Sequence, residues 1–120
     1  MNMTFMKKNE LILKGTINLL ILTEIIKNPM YGYAIERKIN SIINSKLPTG
    51  TIYTLLHSLE NKNYIKCSEK KNANGRMSKI YEITDTGKTF LEFHVEPLNS
   101  VSGIVNYLIE EIPKVCGTKK

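Results

Sequence analysis

A segment near the N-terminus is apolar on every side of a helix, and this restricts how the chain can fold. The pattern from Glu10 to Lys27 is helical, with aliphatic residues at Leu11, Ile12, Leu13, Ile17, Leu19, Leu20, Ile21, Leu22, Ile25 and Ile26. Such a helix must be covered on more than one side. Because 120 residues form one domain with a modest core, we expect a second copy of the chain to supply part of the cover. Asn28-Pro29 is expected to end the helix, since proline disfavours a helical residue before it.

A second helix is predicted from about Tyr31 to Asn44. Its apolar residues recur at three- and four-residue spacing and therefore share one face: Tyr31, Ile35, Ile39 and Ile42. Gly32 fits a tight entry to this helix, and residues 46–48 form a short connector.

The third predicted helix has the clearest pattern. Its apolar residues fall at i, i+3, i+4 and i+7: Ile52, Leu55, Leu56 and Leu59. Thr49 is the expected N-cap, because its hydroxyl can accept a hydrogen bond from a free backbone N–H. The opposite face carries Gly50, Thr54, His57 and Asn61. It is small, polar and uncharged in its N-terminal half, where an ordinary solvated helix more often carries Glu and Lys.

A β-hairpin is predicted next. Residues 64–69 and 77–84 have strand-like composition, and Asn74-Gly75 between them is a strong turn signal because both residues tolerate positive φ. The turn, residues 70–76, is cationic and lacks large apolar side chains, so we expect it to project into solvent.

The chain after Thr84-Asp85, a predicted helix cap, is expected to be helical to about Ile112. Apolar residues recur there at three- and four-residue intervals, and Pro97 is expected to kink this helix or divide it in two. We predict a domain over residues 10–86 and a C-terminal dimerisation helix over residues 87–113. The residues predicted to form the dimer are Ile17, Leu20, Phe90, Val101, Ile104, Val105 and Leu108. Packing of the C-terminal helix onto its own domain is the alternative.

The positive charge of the chain is local. The formal net charge is +6. Residues 61–88 contain seven Lys/Arg and three Asp/Glu, whereas residues 89–112 contain four Glu and no Lys or Arg. A local excess of cations is typical of a surface that binds a nucleic acid.

Several classes of protein do not fit the sequence. Cys67 and Cys116 match neither a metal-ligand spacing nor a disulfide framework, so we expect reduced thiols, a cytoplasmic protein and no cofactor. The N-terminus resembles a signal peptide only superficially, and no apolar run reaches membrane-spanning length. Two histidines, His57 and His94, without a phosphate-binding glycine loop or a nucleophile elbow give no support for an enzyme.

The order of these elements predicts a mainly α (α+β) winged helix-turn-helix: three helices, a two-stranded wing and a C-terminal helix. The third helix is slim enough to enter a major groove about 12 Å wide. Thr54 and His57 would then reach base edges, while Thr51 and Tyr53 would contact phosphates. The wing would neutralise the adjoining backbone with Lys70, Lys71, Asn74, Arg76 and Lys79. Each feature alone is also compatible with a solvated surface, and a winged helix that binds a protein instead of DNA is the alternative.

Three segments resemble the PadR family of prokaryotic regulators. They are residues 31–35 (YGYAI), residues 50–60 (GTIYTLLHSLE) and residues 76–87 (RMSKIYEITDTG). In that family a Gly-Tyr pair opens the second helix, Gly-Thr-hydrophobic-Tyr opens the recognition helix, and Tyr-x-Leu-Thr-x-x-Gly closes the wing. The similarity extends from about Leu11 to Lys88, nearly two-thirds of the chain.

The resemblance implies a winged helix-turn-helix repressor that dimerises through its C-terminal helix, with a small-molecule effector at the dimer interface relieving repression. It implies contacts of Tyr31, Thr51 and Tyr53 with the DNA backbone. The complete set of residues expected at the DNA is Tyr31, Thr49, Gly50, Thr51, Tyr53, Thr54, His57, Lys70, Lys71, Asn74, Arg76 and Lys79.

The chain departs from the family pattern at three points. Thr54 replaces the usual proline after the recognition-helix tyrosine, which is expected to affect the bases that are read. Asn63 replaces the usual glycine before the first wing strand. The chain has no tryptophan, so it lacks the paired tryptophans with which some relatives hold flat drugs.

Overall fold

The computed structural model describes residues 15–48 and 50–117. These residues form five α-helices and three β-strands. In chain order they are α1 (Thr16–Lys27), β1 (Met30–Tyr31), α2 (Gly32–Ile43), α3 (Thr51–Asn61), β2 (Ile65–Lys71), β3 (Met77–Ile83), α4 (Asp85–Glu92) and α5 (Val95–Cys116).

The three strands form one antiparallel sheet in the order β1-β3-β2. The hairpin of β2 and β3 places Cys67 opposite Tyr81 and Lys71 opposite Met77. On the other edge of β3, Met30 pairs with Tyr81. The predicted two-stranded wing is therefore extended by a short third strand, whose two residues are too few to show an alternating pattern.

The core lies between α1, α2, α3 and the base of the sheet. Its buried apolar residues are Ile17, Ile21, Leu22, Ile25, Ile35, Ile39, Leu47, Ile52, Leu56, Leu59, Ile65, Tyr81 and Ile83. The spacing identified the inward side of α3 correctly. In α2 it identified Ile35 and Ile39, whereas Ile42 of the same predicted face is exposed.

Two predicted helix starts need correction. The first helix begins at Thr16, because Gly15 before it has φ +93°, outside the helical region; residues 10–14 lie outside the described part of the chain. α3 begins at Thr51 with Gly50 at the N-cap position and no side-chain hydrogen bond there. The prediction of Thr49 as N-cap is therefore wrong, and Thr49 itself is not among the described residues.

The C-terminal helical region is divided, although not at Pro97. α4 begins after Thr84, whose hydroxyl accepts a hydrogen bond from the Gly87 N–H at 3.0 Å, as expected for a cap. The break falls at Phe93-His94, and Pro97 lies in the first turn of α5, where proline costs no intrahelical hydrogen bond. α5 then continues beyond the predicted end at Ile112 to Cys116, with Pro113 inside it.

Asn63 has φ +64°. Glycine is favoured at positive φ because it has no Cβ, and asparagine is among the few other residues that tolerate this region. Asn63 therefore supports the same turn between α3 and β2 that glycine provides in the family pattern.

Within residues 15–48 and 50–117, no helix combines the length and apolar character needed to span a bilayer.

Candidate nucleic-acid interface

The outward face of α3 is exposed and uncharged. Ile52, Leu56 and Leu59 bury the inner face. Thr54, His57 and Asn61 are exposed on the opposite side. The predicted base-reading residues, Thr54 and His57, therefore both lie on a free surface of the helix.

Tyr53 lies against the start of α2, and its position depends on a glycine. A Cβ added to Gly32 would lie 2.7 Å from Cε1 of Tyr53, closer than van der Waals contact allows. Burial, and to a lesser extent the nearby Glu36 charge, raise the pKa of the Tyr53 hydroxyl. The raised pKa favours the protonated hydroxyl, which is the form that can donate a hydrogen bond to a phosphate.

The turn of the wing is held by its own asparagines. The Arg76 N–H is shared between the side-chain oxygens of Asn72 and Asn74, each at 3.1 Å. Gly75 adopts φ +86°, which confirms the predicted turn. Asn74, predicted to contact DNA, therefore has a structural role through its oxygen. Its contact with DNA remains a prediction.

The Lys and Arg side chains of the wing are available to bind a partner. Lys70, Lys71, Arg76 and Lys79 are all exposed, and none forms an ion pair with the other described residues. The hairpin thus presents four positive charges to solvent next to α3.

α3, the wing and the start of α2 enclose a cleft of about 420 Å³. Its lining residues are Gly32, Tyr33, Tyr53, His57, Glu60, Ser78, Lys79 and Tyr81. The structure thus brings together three predicted DNA-binding residues, Tyr53 and His57 from the helix and Lys79 from the wing. Thr51, Thr54 and the tip of the wing lie outside this cleft.

The sequence interpretation missed a pair of residues on α2. The ring of Tyr33 stacks on Tyr31 with centroids 5.5 Å apart, and the Arg37 guanidinium lies 5.6 Å from the Tyr33 centroid. Arg37 is exposed and adds a positive charge beside the predicted backbone contact Tyr31. The four-residue spacing of Tyr33 and Arg37 on one helix face was the signal that could have revealed them.

The residues predicted to form the dimer separate into two groups. Val101, Ile104, Val105 and Leu108 are exposed on α5, and no residue of α5 is buried. Leu20 and Phe90 are partly buried against the core of the domain, and Phe90 stacks on Tyr64.

Ile17 is only 3% exposed and belongs to the core, so its side chain has no exposed surface with which to contact a partner. The prediction for Ile17 is corrected because α1 uses that face to hold its own domain together.

Among the described residues, no three His, Cys, Asp or Glu side chains lie close enough together to hold a metal ion.

Comparison with known proteins assigns the chain to a family. The family model described as "Transcriptional regulator PadR-like family" matches residues 21–93. A PadR-like transcriptional regulator of Bacillus cereus is 32% identical with a TM-score of 0.72, covering 82% of this chain and 96% of its own.

Two further solved structures agree. A Thermoplasma acidophilum protein is 34% identical with a TM-score of 0.78, and the match covers 82% of this chain and 95% of that one. A PadR family transcription regulator of Clostridium difficile is 31% identical with a TM-score of 0.69, covering 79% and 99% of the two chains. The Bacillus cereus and Clostridium difficile proteins are PadR-type transcriptional regulators, and all three structures share the fold described above. The chain belongs to the PadR-like family of transcriptional regulators.

Proposed function

We propose that the protein is a homodimeric repressor that recognises an operator sequence through α3 and is released from it by a small molecule. The observation that carries this proposal is the shared cleft of α3 and the wing, in which Tyr53 and His57 lie beside Lys79. A major-groove helix and a cationic hairpin in this arrangement can contact bases and the neighbouring backbone of one duplex.

Each group of residues has a distinct role in this complex. Thr54 and His57 on the outward face of α3 contact base edges. Thr51 and Tyr53 donate hydrogen bonds to phosphates, with the backbone at Gly50 facing the same strand. Tyr31 contacts the phosphates from the start of α2. Phosphate contacts set the position of the protein on the duplex, and base contacts choose the sequence.

The dimer forms through the exposed apolar side chains of α5. One winged helix buries too little surface for tight specific binding. Two copies paired along α5 place two recognition helices on half-sites about 34 Å apart.

The effector binds beside this interface. An apolar groove of about 270 Å³ lies between the start of α1 and α5, with Leu19, Leu98 and Val101 in its lining. A ligand in this groove changes the angle between α5 and the domain, and with it the spacing of the two recognition helices.

A salt titration tests the electrostatic part of the proposal. Binding to DNA upstream of the protein's own gene is measured by fluorescence anisotropy at several salt concentrations. With five or more phosphate contacts per dimer, log K falls against log salt with a slope of about −0.9 per contact. A flat response contradicts the proposal.

A matched pair of charge reversals locates the contacts. Lys70→Glu/Lys71→Glu on the wing should abolish tight binding. Lys88→Glu/Lys114→Glu changes the net charge equally, but on α4 and α5, and should leave most of the affinity intact. The wing variant should unfold at about the wild-type temperature, and the control, which loses the surface ion pairs of Lys88 with Asp85 and of Lys114 with Glu111, should unfold only slightly earlier. Equal losses in the two variants would show that only net charge matters, and unchanged activity of the wing variant would favour a protein partner.

A further inference from the structure

The cleft between α3 and the wing contains an anion that is partly buried, whereas Glu69 and Glu82 of the wing are exposed. Glu60 is partly buried in its lining. None of the described Lys, Arg or His side chains forms an ion pair with it. One of its carboxylate oxygens accepts a hydrogen bond from the Cys67 thiol at 3.1 Å. Because a carboxylate repels phosphate, DNA binding does not account for this charge, whereas a bound cation would be stabilised by it.

The floor of the cleft also has an unused polar group. Tyr81 is only 6% exposed, and its hydroxyl makes no hydrogen bond within the described part of the chain. Burial, followed by Cys67, Glu60 and Tyr53, raises the pKa of Tyr81. Lys79 also lines the cleft, and its charge opposes that of Glu60 at the Cys67 thiol. The Glu60 charge therefore acts on the hydroxyl at the floor of the cleft.

The walls are aromatic. Tyr33 and Tyr53 line the cleft together with Tyr81. The faces of such rings attract cations, as the Arg37 guanidinium 5.6 Å from the Tyr33 centroid shows, so Tyr53 and Tyr81 are the rings available to a second cation. The volume of about 420 Å³ falls within the range of small-molecule pockets, about 300–1,000 Å³. A carboxylate, tyrosine rings and a free hydroxyl together favour a compact organic cation.

We infer that this cleft binds a small organic amine, with its ammonium group on the Glu60 carboxylate and its apolar body between Tyr33 and Tyr53. The site is separate from the apolar groove beside α5. Tyr53 and His57 belong to both the cleft and the proposed DNA surface, so the amine and DNA exclude each other. This last consequence rests on the proposed function, whereas amine binding itself does not.

Calorimetry on the full chain without DNA tests the site with three probes of similar size: phenethylamine, 2-phenylethanol and 3-phenylpropionate. Only phenethylamine should bind measurably. Glu60→Gln should weaken it at least about tenfold, because a hydrogen bond to a charged group is replaced by a neutral one. Leu98→Ala, in the groove beside α5, should leave the affinity unchanged.

Three results would overturn the assignment: equal binding of the amine and the propionate, unchanged affinity in Glu60→Gln, or sensitivity to Leu98→Ala alone. Gln at position 60 can still accept the Cys67 hydrogen bond, and thermal unfolding confirms that the variant is folded. Tyr33→Leu removes one wall at a half-exposed position and should also weaken the amine.

A competition assay separates this inference from the proposed function. Phenethylamine should displace DNA from the wild-type protein but not from Glu60→Gln. If the protein binds no DNA, the proposed function fails while calorimetry still decides the amine site. If the amine binds as expected without displacing DNA, the mutual exclusion is wrong.

Discussion

Gly87 lies directly against the backbone carbonyl of Tyr64, and a Cβ at position 87 would overlap that oxygen. Thr84 links the same two segments. Its hydroxyl donates a hydrogen bond to the Asn63 carbonyl at 2.7 Å and accepts one from the Gly87 N–H. The Thr-x-x-Gly segment that ends the wing therefore fastens α4 to the turn after α3.

Gly87→Ala should lower the free energy of unfolding by about 1–3 kcal/mol, because the carbonyl is backbone and cannot move aside without shifting β2. Gly103→Ala is the matched control, since a Cβ there meets nothing within 4 Å. Alanine at position 103 should stabilise α5 by up to about 1 kcal/mol. Chemical denaturation measures both. If Gly87→Ala leaves the free energy of unfolding unchanged, the backbone around the Tyr64 carbonyl can move to accommodate the added Cβ.

Gly32→Ala should weaken DNA binding by displacing the Tyr53 ring. Tyr53→Leu should weaken it by a similar factor, because the phosphate donor is lost. The double variant should be no worse than Tyr53→Leu alone, since removing the ring relieves the overlap. Ser41→Ala, at an exposed position of α2, is the control. Additive losses in the double variant would mean that Gly32 acts independently of Tyr53.

Leu108→Glu should abolish the proposed dimer, because two leucines that each contribute about 1.5–3 kcal/mol on burial are replaced by charges. Asn106→Glu adds the same charge nearby and should leave the dimer intact. Asn106 lies on the side of α5 opposite Val101, Ile104, Val105 and Leu108. Sedimentation velocity at micromolar concentration distinguishes them. A wild-type chain that sediments as a monomer would refute pairing through α5.

Cys67 should react slowly with alkylating reagents. Its hydrogen bond to Glu60, together with burial and the Glu60 charge, raises the pKa of the thiol above the ordinary value of 9.0. The folded state therefore favours the protonated thiol, and this contribution to stability, present below pH 9, is lost as pH rises through the raised pKa. At pH 8 the exposed Cys116 should be modified first. Glu60→Gln should speed modification of Cys67 by lowering its pKa, as mass spectrometry would show. Equal rates in wild type and variant would contradict this.

Local signals in the sequence predicted most of the fold. The spacing of Ile52, Leu56 and Leu59 identified the inner face of α3, and Asn74-Gly75 identified the turn of the wing. Both depend on residues close together in the chain. The Thr49 cap and the division of the last helix were placed wrongly, because helix ends depend on backbone geometry at one or two residues such as Gly50.

The candidate site was only partly predictable. Exposed residues on α3 and cations on the wing could be named from pattern and charge. Glu60 and Tyr81 could not be named in this way, because their contact with the cleft beside Tyr33 depends on how α2, α3 and β3 pack together. No periodicity within one element shows which flank of α3 faces the wing.

α5 contributes no buried side chain to the domain that precedes it. In the proposed dimer, mutations along this helix therefore alter which chains can pair and leave the core of the preceding domain intact. If α5 pairs the subunits as proposed, a duplicated copy of the gene can acquire its own pairing preference before its DNA target changes, and two related regulators then coexist in one cell without forming mixed dimers.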